Sequence, residues 1–260
     1  MIKVAVIGNG GICPAHIGAY LQFPDRCRIV ALVDIIPGKA EKMKERFSLD
    51  CETYLDHHDI LDLDIDLVDI CTPPFTHAEI AVNALRAGKN VVCEKPMAAS
   101  LEECDAMLKA RNESGKKLTV IAQNRFRKEI RDIKALVDSS IAGKVRDVRI
   151  DSFWFRAHSY YDLWWRGTWE KEGGGCTLNH AVHHIDMLGW IMGLPERVTS
   201  DLSETRKVLP DAASAVLVTH LNETGGGLSG GADLKAFSSL FDRAYCSCDP
   251  FDVKESQTGV

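Results

Sequence analysis

Ile2-Lys3-Val4-Ala5-Val6-Ile7-Gly8-Asn9-Gly10-Gly11-Ile12-Cys13-Pro14 runs from an apolar β stretch through a glycine turn into a helix start. Gly8 permits the tight turn, and Gly10 lets the backbone approach a second body closely. The helix that follows begins with unpaired N–H groups, which suit an anion. Pro14 fits a first helical turn, where its missing N–H costs nothing. The third position of the G-x-G-x-x-G pattern is Cys13, small enough for close helix–strand packing. Strand, turn and helix in this order point to a dinucleotide, with Gly8, Gly10, Gly11 and Ile12 as the expected pyrophosphate cradle. Asp34 ends the next apolar run, at roughly the 20-residue spacing of a ribose-binding carboxylate. It would accept hydrogen bonds from an adenosine ribose and repel a 2′-phosphate, which favours NAD over NADP; Lys39, close in sequence, works the other way. A glycine turn that merely caps a helix is the plainer alternative, and Asp34 weighs against it.

Outward from this turn, residues 1–122 alternate strand-like and helix-like segments. Strands are expected at Ile2–Ile7, Arg28–Asp34, Leu67–Cys71, Asn90–Cys93 and Leu118–Ala122. Helices are expected at Pro14–Phe23, Pro37–Phe47, Thr76–Ala87 and from the Ser100-Leu101-Glu102-Glu103 capping box to Ser114. Short apolar strands separated by helices predict an α/β fold, a doubly wound parallel sheet of the Rossmann type. After Gln123 the pattern changes. A helix over Phe126–Ser139, a long alternating strand over Lys144–Arg156, a helix over Leu178–Met192 and strands near Arg197–Ser203 and Ala213–Leu221 predict an α+β domain with a mostly antiparallel sheet over residues 123–260. No Pro/Gly/Ser linker separates the two parts, so close packing is expected.

Bulk properties narrow the function. A net charge of −6 argues against nucleic acid as the main partner. No apolar run approaches the roughly 20 residues of a membrane helix. Nine cysteines, an odd number without framework spacing, read as reduced thiols of a cytoplasmic protein. Cys246-x-Cys248 lacks a partner pair, and no metal is expected there.

Two further stretches carry chemistry. Glu94-Lys95-Pro96 follows the run Asn90–Cys93, so Pro96 ends the strand and Lys95 sits at its carboxyl edge, where open α/β sheets bind ligands. Neighbours on a strand face opposite ways, so Glu94 is expected to point away from Lys95. The second stretch is Gly173-Gly174-Gly175-Cys176-Thr177-Leu178-Asn179-His180-Ala181-Val182-His183-His184-Ile185-Asp186. On a helix, Asn179, His183 and Asp186 share a face. Three readings stay open: His183 as proton relay or substrate ligand with Asn179 beside it, a metal site among His180, His183, His184 and Asp186, or histidines packed within an interface. The adjacent-face geometry makes the metal reading the weakest.

Taken in order, the Gly8–Cys13 turn, Asp34, Cys71-Thr72-Pro73-Pro74-Phe75-Thr76-His77, Glu94-Lys95-Pro96, Gln123-Asn124-Arg125-Phe126 and Gly173 through Asp186 resemble the glucose–fructose oxidoreductase/inositol dehydrogenase (Gfo/Idh/MocA) family over residues 2–200. The resemblance implies nicotinamide-dependent hydride transfer at a hydroxyl or keto carbon of a sugar, cyclitol or sugar-nucleotide, often in a homo-oligomer. It implies Lys95 as catalytic residue, with His183 and Asn179 beside it; Asn179 stands where the family commonly has Asp, which puts an Asp-to-His relay in doubt. Thr72, Pro73, His77, Glu94 and Lys95 are expected around the nicotinamide ribose, and Trp164 and Arg166 in a loop closing over cofactor or substrate, with interface packing of the tryptophans as the plainer alternative. Lys95, Asn124, Arg156, Asn179 and His183 are expected around the substrate, with Arg125, Arg127, Arg156 and Arg166 as a local positive patch.

From about residue 208 the resemblance fades into a glycine-rich tail, read as a truncated, frameshifted or shortened second domain. The rival to an enzyme is a non-catalytic dinucleotide-binding protein, supported by Asn179 and the tail.

Overall fold

The computed structural model describes residues 1–152, 158–172 and 177–198. Six strands form one parallel sheet: β1 (Ile2–Ile7), β2 (Cys27–Val33), β3 (Glu52–Tyr54), β4 (Leu67–Ile70), β5 (Asn90–Cys93) and β6 (Leu118–Val120). Their spatial order is β3-β2-β1-β4-β5-β6. The order reverses between β1 and β4, which pair from Val4↔Leu67 to Ile7↔Ile70. The crevice beyond their carboxyl ends is the usual ligand position in such sheets.

Both faces of the sheet are buried, as a parallel sheet requires. Val4, Val6 and Leu32 pack with Cys13 and Ile17 of α1 (Cys13–Tyr20) and Met43 of α2 (Lys39–Phe47). Ala5, Ile7, Val68 and Val91 pack with α3 (His77–Arg86) and α4 (Leu101–Ser114), and with Leu178 and Val182 further along the chain. The Ser100 cap forms, its Oγ accepting from the Glu103 N–H at 3.2 Å, while Glu103 Oε2 reaches back one residue past the cap to accept from the Ala99 N–H at 2.9 Å. Gly115 ends α4 in the left-handed region at φ 66°.

Several boundaries differ from expectation. Helix α1 stops at Tyr20 rather than Phe23, because Phe23 precedes Pro24 and a residue before proline is pushed out of helical geometry. Strand β3 was not expected; three residues at the sheet edge are too short to show a period. Beyond β6, α5 (Lys128–Asp138) matches its expected helix, and α6 (Trp169–Glu172) is a single additional turn. The expected helix over Leu178–Met192 is a π-helical turn, Thr177–Ala181, leading into α7 (Val182–Met192). Residues 144–152 of the expected strand Lys144–Arg156 are not in a strand. Alternation marks two faces of a chain but supplies no ladder partner, and pairing is what stabilises a sheet. The rest of that strand, Arg156, Gly173–Cys176 and the glycine-rich tail lie outside the described residues, as does nearly all of the expected strand Arg197–Ser203 and all of Ala213–Leu221. No strand occurs after β6 among the described residues.

Candidate active site

The glycine turn joins β1 to α1 with a division of labour. Gly8 has φ 91°, and a Cβ there would lie 2.8 Å from the Cys71 backbone and the Thr72 methyl. Gly8 is therefore a packing glycine, letting the first turn lie against the end of β4. At Gly10 and Gly11 a Cβ would meet nothing within 4 Å. That open space lies over the start of α1, whose N-terminus has no side-chain cap. The turn thus offers room and unsatisfied N–H groups for a pyrophosphate. Cys13 is fully buried against the sheet, as close helix–strand packing demands.

Asp34 stands at the end of β2, buried. Its Oδ2 accepts from the Asn9 N–H at 2.8 Å and lies 3.2 Å from Lys39 Nζ; its Oδ1 accepts from the Ile36 N–H at 3.0 Å. The carboxylate is thereby fixed at the crevice edge, and Lys39 is paired with it.

On the other side of the crevice the Thr72–Thr76 loop is held from beneath. The Thr76 hydroxyl lies 2.8 Å from both Thr72 Oγ1 and the Pro73 carbonyl. His77 has its ring nitrogens 2.8 Å from the Pro96 carbonyl and 2.9 Å from the Thr72 carbonyl, and is 0% exposed. The expectation of His77 as a cofactor contact is corrected: an enclosed ring cannot touch a ligand, and it ties the Thr72 loop to the Lys95-Pro96 turn instead. The Lys95–Pro96 peptide is cis.

Lys95 and Glu94 follow the last residue of β5, Cys93, and make different contacts. Lys95 Nζ donates to the Asn179 carbonyl at 3.3 Å. Glu94 turns towards α1, where its Oε1 lies 3.0 Å from His16 Nε2, while its Oε2 accepts from the Lys95 N–H at 3.2 Å. Burial raises the Glu94 pKa, but the His16 bond and the nearby Lys95 charge outweigh it and hold the carboxyl below its usual range. His183 is buried, which with the charge of Lys95 pushes its pKa down to about 4. His183 is thus a neutral imidazole near the Lys95 ammonium at neutral pH.

The Asn179 side-chain amide donates to the Glu172 carbonyl at 3.0 Å, so the π-helical turn is tied to α6. Asp186 pairs with Arg125, whose Nε lies 3.1 and 3.0 Å from the two carboxylate oxygens. His180 bonds the Tyr160 hydroxyl at 3.0 Å. His180 and Asp186 are thus engaged elsewhere, and among the described residues His180, His183, His184 and Asp186 do not gather into a metal-ligating group.

Trp164 is 59% exposed and meets Phe75 of the Thr72–Thr76 loop edge to face at 5.7 Å, with Lys171 Nζ 4.3 Å over its ring. It thereby lies beside the Thr72–Thr76 loop. Arg166 lies 3.9 Å over Tyr160 and 4.1 Å over Trp165, with Nη1 3.4 Å from Glu172 Oε1. Arg125 and Arg166 are thus neutralised by Asp186 and Glu172, which corrects the expectation that they form a positive patch. Asn124, half-buried, follows β6 and accepts from the Arg127 N–H at 3.2 Å. His16, Arg125 with Asp186, and Glu172 were missed as working residues. His16 left one signal, a histidine one helical turn after Cys13 on the helix that faces the crevice.

A family model described as "Oxidoreductase family, NAD-binding Rossmann fold" matches residues 2–122, and the GFO/IDH/MocA C-terminal domain matches residues 130–230, past residue 208 where the sequence reading saw the likeness fade. An inositol 2-dehydrogenase of Salmonella typhimurium is 30% identical over 193 residues, 74% of this chain and 54% of the relative. The 2,7-anhydro-N-acetylneuraminate hydratase of Mediterraneibacter gnavus is 31% identical over 207 residues, 76% of this chain and 51% of the relative. The crystal structure of the WlbA dehydrogenase of Bordetella pertussis with NADH and UDP-GlcNAcA superposes with a TM-score of 0.72 at 31% identity, covering 78% of this chain and 62% of that one. The chain spans about half the length of these curated relatives. With a parallel sheet, a glycine turn at its switch point and both family domains matched in order, the chain belongs to the Gfo/Idh/MocA oxidoreductase family.

Proposed function

We propose that the protein is an NAD-dependent oxidoreductase acting on a hydroxyl or keto carbon of a sugar, cyclitol or sugar-nucleotide. The observation that carries this is the placement of Lys95, at the crevice between the glycine turn and the helix bearing His183. Gly8, Gly10, Gly11 and Ile12 would hold the pyrophosphate, Asp34 the adenosine ribose, and Thr72, Pro73 and Trp164 would flank the nicotinamide. Asp34 favours NAD over NADP. Bound nicotinamide supplies the hydride acceptor or donor.

The chain's own residues do the rest. Lys95 exchanges the proton of the substrate oxygen, a task that needs a lysine pKa brought down towards about 7–8. The Asn179 carbonyl orients its ammonium. His183, neutral, offers a hydrogen bond to the substrate oxygen, and Asn124 and Arg156 are placed in the reading on the substrate side. Asn179 acts chiefly through its backbone. With an amide for the family's Asp, no Asp-to-His relay is invoked.

The division near residue 122 is supported by the two family matches. We further propose a cytoplasmic homo-oligomer. Free thiols at six described cysteines support a reducing compartment. Ile133, Leu136 and Ile141, 47%, 50% and 84% exposed, support association. No helix among the described residues is long and apolar enough to cross a membrane.

The test is titration with NADH followed by a panel of cyclitols, sugars and sugar-nucleotides, scored by absorbance of the reduced cofactor. Tight NADH binding with turnover of a polyol supports the reading. Binding with no turnover would favour the second reading, a non-catalytic dinucleotide-binding protein, for which the Asn179 substitution speaks.

A further inference from the structure

A buried charge network lies directly beneath Lys95. His16 of α1 has Nδ1 2.8 Å from Asp69 Oδ2 and Nε2 3.0 Å from Glu94 Oε1. The Asp69 side chain is 0% exposed, that of Glu94 8% and that of His16 11%. Ionised carboxylates only accept hydrogen bonds, so both ring nitrogens must carry protons. His16 is then an imidazolium between two carboxylates, with the Cys71 thiol nearby. Burial pushes its pKa down, yet the bonds to Asp69, Cys71 and Glu94 prevail and push it up to about 12. The thiols of Cys13 and Cys71 and the hydroxyl of Tyr20 nearby are pushed up by burial and stay neutral.

We propose that His16 is a positioning residue for Lys95: it holds one oxygen of Glu94, leaves the other on the Lys95 backbone N–H, and offsets the carboxylate charge that the Lys95 ammonium would otherwise face. The chain of contacts is continuous, from Asp69 on β4 through His16 and Glu94 to the Lys95 peptide. A carboxylate near an ammonium stabilises its charged form. With His16 gone, Glu94 loses both its tether and its compensating charge, and Lys95 becomes harder to deprotonate. His183 of α7, which also lies near Lys95, is neutral at pH 7 and does not replace the lost charge.

This inference rests on the reading of Lys95 as the acid/base group, but its test needs no turnover. The full-length protein carrying [13Cε]lysine is titrated by NMR, with the Lys95 signal assigned by its loss in Lys95→Met. The Lys95 midpoint should rise by about one pH unit in His16→Gln and return to the wild-type value or below in His16→Gln/Glu94→Gln. An unchanged midpoint in His16→Gln, or a rise that persists in the double variant, overturns the proposal. Should His16→Gln not fold, [15N]histidine spectra of the wild-type protein serve: two protonated ring nitrogens on His16 at pH 8 are expected, and a neutral ring overturns the proposal. Turnover by Lys95→Met would instead count against the acid/base reading itself.

Discussion

Arg125 grips both carboxylate oxygens of Asp186, linking the turn after β6 to the middle of α7. The two side chains are 11% and 3% exposed. Helix α7 carries His183, and its π-helical entry carries Asn179, so this pair sets the distance of both from Lys95. Breaking a buried ion pair leaves an uncompensated charge and costs about 3–5 kcal/mol. Asp186→Asn should lower the urea midpoint accordingly, and a conservative Arg125→Lys should recover only part of the loss because a lysine cannot make the bidentate grip.

The two glycines of the turn should fail differently. Gly8→Ala puts a Cβ into the Cys71 backbone at a positive φ, so it should destabilise the fold by about 1–3 kcal/mol or more. Gly10→Ala meets no protein atom, so thermal stability should stay near wild type while NADH affinity falls about tenfold or more. Parallel thermal melts and NADH titrations check this; equal loss of stability in both variants contradicts the division.

Cofactor choice should follow Asp34 and Lys39. Wild-type protein should prefer NADH to NADPH. Asp34→Ser removes the repelling carboxylate and releases Lys39 from its 3.2 Å pair, so the preference should narrow or reverse by about tenfold. Competition titrations with the two cofactors give the ratio directly.

His183 gives stability a defined acid limb. Its folded pKa, about 4, lies below the ordinary histidine value of 6.5. Between these values the unfolded chain binds the proton and the folded chain does not, so stability falls as pH drops from about 6.5 to 4. Allowing for solvent screening, the loss is about 1–2 kcal/mol. His183→Gln should flatten that limb in urea unfolding at pH 7, 5.5 and 4.5. His16 has the opposite sign: its folded pKa is raised, so its contribution is complete below pH 6.5 and wanes only as pH rises towards 12.

The parallel sheet was legible because its strands are apolar runs punctuated by Gly8, Pro73 and Pro96, residues whose backbone limits act locally. Lys95 and Asp34 were legible for the same reason: a strand end fixes where a side chain emerges. The network of His16, Asp69 and Glu94 was not, since its members come from α1, β4 and the end of β5 and meet only when the sheet order is known. Arg125 misled for a related reason. A cation in sequence looks available until its partner, here Asp186 some 61 residues on, is found. The strand expected over Lys144–Arg156 was read from alternation, and alternation says nothing about which strand lies alongside.

The central claim is that Lys95 performs proton transfer at the substrate oxygen whose carbon faces the nicotinamide. It is tested most directly by turnover of Lys95→Met against wild type on the best substrate of the polyol panel, with NADH affinity measured alongside. The account predicts a fall in kcat of about 100-fold or more with NADH binding within about twofold of wild type. Wild-type kcat in the variant would contradict it.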